Sequence, residues 1–188
     1  MLFRSLSEKF ADAARFLDSF QLTTRTGTEA TSTTVPPPDW KPYQYPSDGF
    51  SAAFPHEPAL QKQNLATDAG TFEFRIYSTE DSAAAFIVAV CDYGSMAESK
   101  DPDILLDAAK TGAVNNVKGH LLSERKITLG ANHGIEFQAA NDSTQITARV
   151  YLAGATLYQL IVTVPLKSDY ADTARFLDSL QLIPRGGK

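Results

Sequence analysis

What the 188-residue sequence lacks narrows its class first. Cys91 is its one cysteine, so no disulfide can close within the chain and no multi-thiolate zinc site can form. The three histidines, His56, His120 and His133, make neither an H-x-x-x-H nor an H-E-x-x-H pair. Lysine and arginine are scattered without a run, and 17 basic against 22 acidic residues leave a net charge of −5. A nucleic-acid footprint or an anionic-membrane patch would need the opposite balance. No stretch approaches the ~20 apolar residues of a membrane-spanning helix. The opening residues are broken by Arg4, Glu8 and Lys9 before any apolar core forms, so they do not read as a secretory signal, and a cytoplasmic setting is the default expectation.

Catalytic signatures are missing too. The G-x-S-x-G elbow is absent, since its nearest approximations, YGSMA at 93–97 and GFSAA at 49–53, lack the second glycine. GANHG at 130–134 joins two apolar segments without opening a helix, so it reads as a hairpin turn and not as a phosphate cradle. Cys91 precedes Asp92 and Tyr93, yet no base or cation lies near it in sequence to stabilise a thiolate, so it reads as a buried structural thiol. No catalytic residue, metal site or cofactor is expected.

What is present is organisation. Hydrophobic residues make up 43% and charged residues 21%, so the chain should fold around a core. Residues 11–25 and 171–185 are a near repeat at an offset of 160: only positions 13, 20, 23 and 24 differ from their partners among fifteen. Amphipathicity alone would repeat residue classes, whereas Arg15, Asp18, Ser19 and Gln21 recur as identities. Residues 1–22 are therefore expected to form an isolated helix, the closing helix of an upstream domain of the same kind. Its apolar stripe of Phe10, Ala14, Leu17 and Phe20 should dock, and a homodimer through it is one expectation. Residues 23–39, rich in threonine and ending in Pro36, Pro37 and Pro38, read as a linker. A domain at 40–184 follows.

Within that domain, alternation predicts strands at 49–55 and 71–78, and the apolar run 83–94 predicts a central strand covered on both faces. Asp101, Pro102 and Asp103 open a helix that Gly119 closes, with Ile104, Leu105, Ala108, Ala109, Val114 and Val117 on its apolar side. Four strands follow as a meander from 120 to 165. A last helix carries Tyr170, Ala174, Leu177 and Leu180 on one stripe. Strands grouped this way with helices packed on them give an α+β fold, a mainly antiparallel sheet of about six to seven strands. Trp40, Tyr43 and Tyr45 cluster among prolines before the first strand, as core-edge anchors or as a partner surface.

The segments DWKPYQYPSDGFSAAFPHEP, DILLDAAKTGAV, ITLGANHGIEF, RVYLAGATLYQLIV and ARFLDSLQL resemble an uncharacterised bacterial domain family with a PsbP-like fold. The resemblance covers 40–182 and implies an antiparallel sheet sandwiched between helices, with accessory or binding roles and no shared catalytic motif. No functional residue carries over from it. The expected function is a non-enzymatic binding or accessory module for an unknown protein partner within a tandem-domain protein. The alternative is a small-molecule-binding domain or unusual hydrolase with a pocket between sheet and helix.

Overall fold

A computed structural model describes residues 39–67, 70–98, 100–168 and 170–186. The expected helix at 1–22 and the linker before Asp39 lie outside the described residues. Two antiparallel sheets form the frame. The small one joins β1 (Lys41–Tyr45), β2 (Phe50–Phe54) and β10 (Gln181–Leu182) in the order β1-β2-β10. The large one holds β3 (Ala59–Thr67), β4 (Gly70–Glu80), β5 (Ala85–Asp92), β6 (His120–Leu129), β7 (Asn132–Ala140), β8 (Thr144–Ala153) and β9 (Thr156–Pro165). Its spatial order is β3-β4-β5-β9-β8-β7-β6. Among the described residues three helices accompany them: α1 (Ser95–Glu98), α2 (Pro102–Asn116) and α3 (Thr173–Leu177).

The period of two sorts the large sheet into two cores. Along β5, Ile87 and Cys91 point to one and Phe86, Val88 and Val90 to the other, so the continuous apolar run is buried on both faces as predicted. Leu105, Leu106 and Ala113 of α2 fill the first core against Ile135, Phe137, Ile146 and Val150. The second core lies beneath the small sheet and α3, where Phe50, Phe54, Phe176 and Leu177 meet Tyr77, Tyr158, Leu160 and Val162.

Asp101 caps α2 by accepting from the Asp103 N–H at 2.9 Å, with Pro102 in the first turn. Ile104, expected on the apolar side, is 52% exposed, while Leu106 and Ala113 do the burying. The helix closes in a Schellman pattern, Gly119 N–H to Val114 O and Lys118 N–H to Asn115 O. Lys118 takes the left-handed conformation there (φ +50). Gly119 is needed for room instead, because a Cβ would meet the Ala140 carbonyl at 2.5 Å.

Three strands escape the period-two pattern. β1 sits among prolines at an edge, where a missing N–H costs no ladder bond. β3 is another edge strand, and its ALQKQN opening is polar without alternation. β10 is two residues long and lies inside the stretch expected to be helix. The closing helix is accordingly only five residues, and on its stripe Ala174 is exposed while Phe176 takes the buried place. GANHG supplies a two-residue hairpin between β6 and β7, with Gly130 at φ +59, as its glycines suggested.

Candidate functional site

Trp40, Tyr43 and Tyr45 all face the second core. Trp40 meets Phe86 edge-on at 5.1 Å between ring centroids, and the Arg175 guanidinium lies 5.3 Å over its ring. Tyr43 packs on Phe54, and Tyr45 on Tyr77 at 4.1 Å and Phe50 at 5.0 Å. Burial raises the Tyr45 hydroxyl to about 12. Trp40 is thus an interior anchor, whereas Tyr43 and Tyr45 stay half-buried and present an outer rim.

Beside them lies a polar cluster that no local pattern announces. Asp48, in the β1–β2 turn, is 4% exposed. Its Oδ1 lies 2.5 Å from Arg75 Nε, off the N–H direction, so that contact is ionic; its Oδ2 accepts from the Tyr77 hydroxyl. Glu73 also holds Arg75, at 3.1 Å. The Tyr158 hydroxyl donates to the Asp48 carbonyl at 2.8 Å, and Arg185 reaches Asp92 at 3.0 Å and Thr156 at 2.5 Å. Gly49 makes the approach possible: at φ +74, with a Cβ it would stand 3.0 Å from Arg185 Cγ and Tyr158 Oη. Each charge is matched by a charge or a hydrogen bond, which is how a buried ion pair avoids an uncompensated desolvation cost. The cluster fastens the small sheet to the large one.

Cys91 does not join this chemistry as a nucleophile. Burial pushes its thiol up to about 12, well above the ordinary value, so the thiolate that would react does not form near neutral pH. His56, His120 and His133 are exposed on separate segments. His120 pairs with Ala140 and His133 with Thr128, at opposite ends of the β6–β7 hairpin and therefore on the order of 25 Å apart. Among the described residues, no group of three or more His, Cys, Asp or Glu side chains could hold a metal ion.

The other distinctive surface is the β6 margin. β6 pairs with β7 on one side and ends the sheet on the other. Its charges are paired at the surface with neighbouring elements: Glu124 meets Lys110 of α2 at 2.7 Å, Lys126 meets Asp103 at 2.5 Å, and Arg125 meets Glu136 of β7 at 2.7 Å. Leu121 and Leu122 remain 42% and 50% exposed and join neither core. A β-bulge falls between Leu121 and Ser123, so Leu122 has no register partner on β7. By sequence pattern this stretch is an ordinary meander strand, and the adjacent leucines of HLLSERK depart locally from alternation.

No helix among the described residues is long and apolar enough to cross a membrane. No protein-family model matches the chain, and no curated protein does. Among solved structures the chain is similar to cyanobacterial PsbP (CyanoP) from Synechocystis sp. PCC 6803, whose structure was determined in solution. The likeness covers 83% of this chain and 99% of that one, with a TM-score of 0.52 at 10% identity, which bears on architecture alone. Two antiparallel sheets with helices on them, together with this likeness, give the chain a PsbP-like α+β fold.

Proposed function

We propose that this chain is a non-enzymatic binding module of a tandem-domain protein, and that it takes an extended segment of a protein partner along the β6 margin. One observation carries the reading: a sheet edge whose charges are all engaged by α2 and β7, next to two leucines that contact neither core. An unpaired edge offers main-chain donors and acceptors in a row, and leucines beside it reward apolar side chains on the incoming strand. The rim of Tyr43 and Tyr45 is a second, smaller candidate surface. Against the alternative of a pocket between sheet and helix, the space under α2 is occupied by Leu105, Leu106, Ala113 and the apolar side chains of β7 and β8.

The test is a photo-crosslinking side chain placed at Leu122 in the native host, with Ser82 on the β4–β5 turn as control position. The reading requires a discrete covalent adduct at 122 that is absent at 82. Equal labelling at both positions, or no adduct, would remove the β6 margin as the binding surface.

A further inference from the structure

The near repeat acquires a physical meaning once the contacts of its second copy are known. Residues 171–185 close the second core by a set of specific contacts. Arg175 stacks on Trp40, and Phe176, 0% exposed, packs against Phe54 and Phe86 at 5.3 Å. Asp178 accepts from Arg149 at 2.5 Å. Ser179 Oγ accepts from the Ala53 N–H at 2.9 Å and donates to the Phe176 carbonyl at 2.6 Å. Leu182 pairs with Phe50, and Arg185 holds Asp92 and Thr156. Every one of those side chains stands unchanged in the first copy, as Arg15, Phe16, Asp18, Ser19, Leu22 and Arg25.

The differences also follow the contacts. Thr173 and Ile183 are half-buried and Pro184 exposed, so alanine and threonines there remove no buried anchor. The Ile183 N–H that donates to the Gly49 carbonyl belongs to the backbone and survives as Thr23. Leu180, buried, becomes the larger Phe20, and Tyr170, which donates to Asp81, corresponds to Phe10. The first copy thus keeps the recognition residues, with a bulkier side chain in place of buried Leu180 and no hydroxyl in place of that of Tyr170.

We propose that the seat of residues 171–185 has a second occupant in the same chain, residues 11–25. Reach permits it. Arg25 would lie at the Gly49 end of the small sheet and Trp40 lies at the Phe54 end, one five-residue strand away, about 17 Å. Fourteen residues, 26–39, can bridge up to about 46 Å when fully extended, so the distance is within reach. Whichever segment is out of the seat then carries the same recognition residues outward. This surface is separate from β6, so the two proposals fail independently.

The test is a cycle on the full chain with Phe16→Ala, Phe176→Ala and both. Phe16→Ala alone leaves the melting temperature unchanged, Phe176→Ala lowers it, and the double variant falls at least about 4 °C further because the reserve segment has lost its anchor. A double variant that melts with Phe176→Ala overturns the proposal. Cysteines at Ser19 and Ala53 read occupancy directly, with Ser179→Cys and Ala53→Cys establishing that the seat geometry closes a disulfide. A monomeric 19–53 crosslink, accumulating even in the chain with Phe176 intact, is the expected result. Its absence where 179–53 closes overturns the proposal, and a crosslinked dimer overturns occupancy from the same chain.

Discussion

Asp48 shows how much a single side chain settles here. It is an acid in a tight turn, a type of residue usually solvated, yet it holds Arg75 and Tyr77 of β4 beneath the small sheet. Removing one charge of such a pair strands the other, so Asp48→Asn should cost about 3 kcal/mol in denaturant unfolding, Glu73 softening the loss at Arg75. A change below about 1 kcal/mol would mean that the pair is solvated. Cys91 sets an alkaline limit. The unfolded thiol loses its proton near pH 8.5, but the folded one keeps it until about 12. Above pH 8.5 the folded state therefore binds the extra proton, and raising the pH pulls toward the unfolded state. The Cys91 contribution is complete below pH 8.5 and is lost as pH climbs toward 12. Cys91→Ala should flatten the decline in stability between pH 8.5 and 10, and the native thiol should resist Ellman's reagent at pH 8. Rapid labelling of the native protein would contradict this burial.

At the scale of elements, strands write their covered faces into sequence and leave their edges blank. The β5 run and the Phe72, Phe74, Ile76 alternation of β4 were legible because both border a core. β3 was not, because an edge strand with a polar opening has no apolar period to show. The closing helix is shorter than the pattern suggests for a related reason: Tyr170, Ala174, Leu177 and Leu180 are spaced as on a helix, but a five-residue helix, a turn and β10 bury Leu177 and Leu180 and set Leu182 beside the second core. Gly134 in β7 is a case where strand propensity yields to packing. A Cβ there would meet Tyr151 Cδ1 at 2.5 Å and the Val150 carbonyl at 2.7 Å. Gly134→Ala should therefore destabilise by about 1–3 kcal/mol, despite alanine's smaller entropy cost, as measured by chemical denaturation. A stabilised variant would mean that the tyrosine ring moves aside freely.

For the whole molecule, the sequence showed class and layering but not the site. The α+β frame followed from runs of alternation broken by turn glycines, each a local signal. The Asp48 cluster draws on positions 48, 75, 77, 158 and 185, and no spacing rule links residues so far apart. Of the three aromatics that cluster among the prolines, Trp40 serves the interior while Tyr43 and Tyr45 stay half-buried at its rim. The β6 margin needed the sheet order, since HLLSERK is unremarkable until the strand is known to be last in its sheet. The repeat was visible at once, but its meaning waited on what Arg175, Phe176, Asp178 and Ser179 touch. The central claim, binding of a protein segment along β6, is tested most directly by calorimetric titration of the partner captured at position 122 against wild type and Leu122→Lys. Leu122 joins neither core, so the variant should melt within about 2 °C of wild type while its affinity falls at least tenfold, about 1.4 kcal/mol. Equal affinity of the two proteins would contradict the account.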